Sequence, residues 1–109
     1  MDKWTLREIS DHTGASRRAI QGYEKAGLVH AKERNDRGYL LYGSNEEERI
    51  RLIKLLQQLG FSIAEIKNMI DAPKHILKEA VAKQVEVLQD RKAEIDILIQ
   101  KAYQLIEEI

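Results

Sequence analysis

The chain has 109 residues, enough for one small domain with an appendage, and its 18 Lys/Arg balance 18 Asp/Glu to a net charge of zero. It has no cysteine, which excludes disulfides and thiolate metal sites, and no apolar run of the roughly 20 residues a membrane span needs. No signal peptide opens it, so a cytoplasmic protein without a membrane partner is expected. The histidines His12, His30 and His75 lack ligand-like spacing and read as solvated surface residues, so neither metal nor other cofactor is expected. Charge is uneven: residues 1–43 hold eight Lys/Arg against six Asp/Glu, whereas 44–72 hold four against five and 73–109 six against seven. The cations gather in the first part of the chain.

Asp2 to Trp4 reads as a short lead-in, with Trp4 covering one end of the core. Thr5 with Glu8 three residues on forms a capping box for a helix over 6–13, whose apolar face carries Leu6 and Ile9. Gly14 sits where a helix stop needs a left-handed backbone. Ser16 then caps a second helix over 17–26. This helix opens with Arg17 and Arg18 at the end where the dipole is positive and Asp or Glu would suit stability better. Something negative outside the protein is the beneficiary, and a helix–turn–helix whose second helix leads with Arg is a candidate DNA reader. Ile20 and Tyr23 share the inward face, leaving Arg17, Arg18 and Gln21 to reach outward. Gly22 in mid-helix costs about 0.5–1 kcal/mol relative to Ala, so either something approaches the backbone there or the helix is weak.

Gly27 ends that helix. Two short extended runs then flank Asn35-Asp36-Arg37-Gly38, a turn-forming set, and predict a β-hairpin. Lys32, Arg34 and Arg37 sit on or beside its tip, so the hairpin makes a cationic wing suited to phosphates. Ser44 with Glu47 predicts the cap of a third helix, which carries Ile50, Ile53, Leu56 and Leu59 on one face beside Leu52 and Leu55 and stops at Gly60. Ser62 with Glu65 caps a fourth helix with Ile63, Ile66 and Ile70, to about residue 71, and Phe61 between the two is a candidate core anchor.

Pro73 punctuates the chain, and 74–109 reads as one long helix of about 54 Å at 1.5 Å per residue. Steps of four and three pick out Leu77, Val81, Gln84, Leu88, Arg91, Ile95, Leu98, Ala102, Leu105 and Ile109; eight of these ten are apolar, the pattern of a coiled-coil seam. Val85, Ile99 and Ile106 widen the stripe. Such a stripe demands a partner, and a second copy of the chain is the economical one. The dimerisation set is therefore Leu77, Val81, Leu88, Ile95, Leu98, Ala102, Leu105 and Ile109, with polar Gln84 and Arg91 fixing register. The expected division is 1–72 for the head and 73–109 for the dimerisation helix.

The runs LREISDHTGASRRAIQGYEKAGLV, RGYLLY and IKLLQQLGFSIAEIKNMI, in that order, resemble the MerR family of bacterial transcriptional regulators. The resemblance covers 6–70, and the long helix fits the family's dimerisation helix. It implies a mainly α winged helix–turn–helix with a small β-hairpin wing, the helix pair after the hairpin forming a second wing. It further implies a homodimer through an antiparallel coiled coil and a pseudo-palindromic promoter operator whose over-long spacer is bent and untwisted so that RNA polymerase engages both promoter elements. By the same resemblance Arg18 matches a DNA-contacting arginine, Tyr23 the second of an aromatic pair, Glu24 the acid after it, and Tyr39 and Tyr42 the wing tyrosines. Arg37 neighbours the wing turn, and Arg17, at a variable position, is a candidate for base-edge contact. The DNA-binding set is thus Arg17, Arg18, Gln21, Tyr23, Arg34, Arg37 and Tyr39.

Three positions depart from the family pattern. Gln21 stands where an Arg is common, Gly22 replaces the first aromatic, and Leu40 replaces a wing Arg. Fewer neutralised phosphates predict weaker and less salt-sensitive binding. The sequence also carries neither the effector-binding domain nor the metal-binding cysteines of many members, so a short member without thiolate sensing is expected. A coiled-coil adaptor whose head has lost DNA competence is the alternative function. An enzyme is not expected: no nucleophile–His arrangement or phosphate-cradling glycine loop is present, and Glu46, Glu47 and Glu48 suit the dipole of a helix start.

Overall fold

Local signals set most of the element ends. The computed structural model describes residues 3–109, so Asp2 of the expected lead-in lies outside the described residues. Thr5 and Glu8 form the expected reciprocal box, and α1 runs Leu6–Thr13. Hydrogen bonds to Thr5, its backbone N–H first and its hydroxyl second, hold the Glu8 carboxyl below the usual carboxylate range. Gly14 takes the left-handed backbone (φ 77°), and a Cβ there would also stand 2.8 Å from Lys54 Nζ. Ser16 then accepts from the Ala19 N–H at 3.0 Å to start α2, Arg17–Lys25.

The turn between these helices is tied internally. The Thr13 hydroxyl donates to the Ile9 carbonyl at 2.7 Å and accepts from the Ala15 N–H at 3.2 Å, while Ser10 Oγ donates to the Ala15 carbonyl at 2.6 Å. Ala15 is buried, so the two helices meet across a small side chain.

The hairpin has two short antiparallel strands, β1 (Glu33–Arg34) and β2 (Leu40–Leu41), in the register Glu33↔Leu41 and Arg34↔Leu40. Trp4 extends the sheet by a bridge to Tyr42, its N–H donating to the Tyr42 carbonyl at 2.8 Å and its carbonyl accepting at 2.7 Å. The half-buried Trp4 indole stacks on the His12 ring at 4.7 Å. His12 is exposed, as expected of a surface histidine, and also pairs with Glu47.

Helix α3 runs Ser44–Leu59. Its cap differs from the expected Ser44–Glu47 pair. Gly43 is the N-cap, and Glu46 reaches back to accept the Gly43 N–H at 2.9 Å. The three consecutive glutamates offer two frames one residue apart, and this one leaves Glu47 to meet His12 and Arg51. Ile50, Ile53 and Leu56 are buried as expected, while Leu59 is half-buried and Leu55 exposed.

Helix α4 (Ile63–Met69) carries the expected Ser62–Glu65 box, and hydrogen bonds to Ser62 hold the Glu65 carboxyl below its usual value. Phe61 is half-buried, not a core anchor; Ile66 and Met69 fill that place. The largest fully buried side chains of the head are Ile9, Ile20, Val29, Tyr42, Ile50, Ile53, Leu56 and Ile66.

The chain divides between Ile70 and Asp71 into two compact units. The second is α5, Lys74–Glu108, a 35-residue helix of about 52 Å with no buried residue. No helix among the described residues is long and apolar enough to cross a membrane.

Candidate nucleic-acid interface

Amphipathicity orients α2. Ile20 and Tyr23 turn into the core, which places Arg17, Arg18, Gln21 and Gly22 on the exposed arc. No acid occupies the first turn, so the positive end of the dipole and two guanidinium groups coincide. A Cβ at Gly22 would meet nothing within 4 Å, so no part of the described chain demands the glycine.

Tyr23 corrects the expectation of an outward contact. It is 3% exposed, and its hydroxyl donates to Gln57 Oε1 of α3 at 2.6 Å. Burial pushes the phenol's pKa up. The spacing of three that pairs it with Ile20 already signalled an inward residue; the family pattern pulled the other way.

The hairpin tip is built on Asn35. Its Oδ1 accepts from the Arg37 and Tyr39 N–H groups, each at 3.0 Å, and its carbonyl accepts from Gly38, whose φ is 83°. Arg34 Nη1 donates to the Gly38 carbonyl at 2.6 Å, which lays its guanidinium along the turn. Arg37 is exposed at the tip, and Tyr39 is 58% exposed.

These elements enclose a cleft of about 560 Å³. Arg17 from α2 and Arg34, Gly38, Tyr39 and Leu40 from the hairpin line it, with Thr5, Leu6 and Arg7 from the start of α1. The structure thus brings together Arg17, Arg34 and Tyr39 of the expected set. Arg18 and Gln21 stand on the same helix outside the cleft lining, and Arg37 stands on the tip. Arg7 was missed, although the signal was available: it is a cation in the first turn of a helix, the feature that singled out Arg17 and Arg18.

In α5 the seam positions Leu77, Val81 and Leu88 are half-covered, whereas Ile95, Leu98, Ala102, Leu105 and Ile109 are exposed, Leu98 at 63% and Ile109 at 94%.

Comparison with known proteins gives a consistent result. The family described as "MerR HTH family regulatory protein" matches residues 4–73, and the one described as "MerR, DNA binding" matches residues 47–109. The HTH-type transcriptional activator mta of Bacillus subtilis is 32% identical over 98 residues, covering 90% of this chain and 38% of the relative. The crystal structure of the N-terminus of that multidrug transporter activator superposes with a TM-score of 0.72 at 29% identity, covering 94% of this chain and 97% of that one. The fold is also that of HiNmlR, described as a MerR family regulator lacking the sensor domain and bound to promoter DNA, with a TM-score of 0.76 at 22% identity and coverage of 99% and 95%. The chain spans about two fifths of the length of the first curated relatives it matches. With family matches over both the head and the long helix, the chain belongs to the MerR family of helix–turn–helix regulatory proteins.

Proposed function

We propose that this chain binds duplex DNA as a homodimer at a pseudo-palindromic promoter operator and regulates transcription by distorting that DNA, in the cytoplasm and with RNA polymerase as the partner that reads the result. The observation that carries the reading is the joint placement of Arg17, Arg34 and Tyr39 around one cleft beside the cationic start of α2. Arg18 and Gln21 on the exposed arc reach base edges in the major groove, while Arg34 and Arg37 on the hairpin hold phosphates. Tyr23 supports α2 from within through Gln57 and takes no part in direct contact. The apolar seam from Leu77 to Ile109 pairs two copies and sets two reading heads on one duplex. No catalytic chemistry is assigned.

A coiled-coil adaptor is favoured by the glycine at position 22 and the net charge of zero. Selection of bound sequences from random duplex DNA separates the two. Recovery of a two-fold symmetric site with half-sites at a fixed spacing is the expected outcome. A dimer that retains no duplex even at low salt overturns regulation in favour of the adaptor.

A further inference from the structure

The cleft that gathers Arg17 and Arg34 has a third guanidinium on its rim, Arg7 in the first turn of α1. The Arg7 and Arg17 side chains have no hydrogen bond or ion pair among the described residues, and Arg34 is tied only through one N–H to the Gly38 carbonyl. Among the described residues no Asp or Glu lines the cleft. The acid next to Arg7, Glu8, is turned back onto the Thr5 N–H at 2.9 Å. Three like charges around one concavity repel each other, and an anion placed among them relieves that repulsion. The cleft also has apolar lining from Leu6 and Leu40. Inorganic phosphate has no use for such a wall. A phosphodiester flanked by deoxyribose fits both the cations and the apolar wall.

We propose that this cleft is a clamp for one backbone phosphate of the duplex, held by Arg7 from α1 and Arg34 from the hairpin with Arg17 at its α2 side. Arg7 is a positioning residue: it fixes where α2 lies over the groove and reads no base. The proposal rests on the DNA-binding reading above.

The test measures the full chain and R7Q on the selected operator and on a scrambled duplex across a salt series. A charge-neutral methylphosphonate is stepped through the operator backbone in parallel. R7Q, unchanged in helicity and in dimer formation, weakens both duplexes by the same factor, roughly three- to tenfold at low salt. Its log–log salt slope falls by about one. At one methylphosphonate position the unsubstituted chain and R7Q bind alike, as expected when both members of a contact have been removed. Equal affinity and slope for the two proteins overturn the clamp, and so does a loss restricted to particular base sequences. A loss that persists at every methylphosphonate position does the same. If the unsubstituted chain binds no duplex at all, the DNA-binding reading fails before any variant is examined. Inorganic phosphate bound by that chain and lost in R7Q then replaces the clamp with a small-anion site.

Discussion

Tyr42 shows how one side chain can be well packed and poorly satisfied at once. Its ring is fully buried, and its hydroxyl, without a well-formed hydrogen bond among the described residues, has the Glu24 carboxylate as its polar neighbour. Burial first, then the charge of Glu24, push its pKa up to about 12 from the ordinary 10.0. Y42F keeps the ring and deletes a buried hydroxyl with no well-formed hydrogen bond, so at neutral pH it changes stability by no more than about 1 kcal/mol. The alkaline limb follows from linkage. The folded chain keeps the phenol proton where the unfolded chain releases it, so the contribution is intact below pH 10 and is lost as pH rises through about 12. Denaturant titrations at pH 7 and pH 11 check both points. Y42F narrows the gap between the two pH values, and a midpoint well below wild type at pH 7 contradicts the account.

At the scale of elements, caps carry the short helices. Helix α2 has nine residues, too few to persist without packing and a start signal, and Ser16 supplies that signal. S16A is expected to lower stability by about 1 kcal/mol, read as a shift in denaturant midpoint with unchanged m-value. Glu8 and Glu65 have carboxyls held low by Thr5 and Ser62, so their support for α1 and α4 is present above their ordinary value of 4.5. It is lost as pH falls through the lowered values. Circular dichroism on acidification shows that loss directly, and in E8Q the α1 share of the acid dependence disappears.

These caps were legible because Thr5, Ser16 and Ser62 offer one frame each. The third helix offered two, and a tertiary contact chose between them: besides its i,i+4 partner Arg51, Glu47 meets His12 of α1, which no local pattern reveals. Phe61 was misplaced for a related reason, since type and position do not say how far a ring will be covered, whereas for Tyr23 the spacing pointed inward and the family pattern outward. The cleft is the least legible feature of all. Arg7 and Arg34 are 27 positions apart, and only the return of the hairpin beside α1 makes them neighbours of one space.

For the whole molecule, the exposed seam on α5 makes association the central expectation. Leu98 at 63% and Ile109 at 94% exposure belong to a stripe too long for a chain that stays alone. The chain is expected to sediment as a dimer at micromolar concentration. L98E, which places a charge in the seam, is expected to give a monomer with a folded head. Because the two heads then bind independently, operator affinity falls by at least about tenfold. A monomeric wild-type chain in the ultracentrifuge refutes the pairing.

Helix α3 reaches both helices of the helix–turn–helix through arginine. Arg51 Nη2 donates to the His12 carbonyl at 2.7 Å, near the end of α1, and Arg49 Nε donates to the Leu28 carbonyl just beyond α2. Those carbonyls lie at or just beyond helix ends, where acceptors otherwise rely on water. Held by one helix at two points, α1 and α2 are expected to move with α3 rather than independently about Gly14. On the proposed DNA-distorting reading, a turn of α3 carries α1 and α2 with it against the duplex.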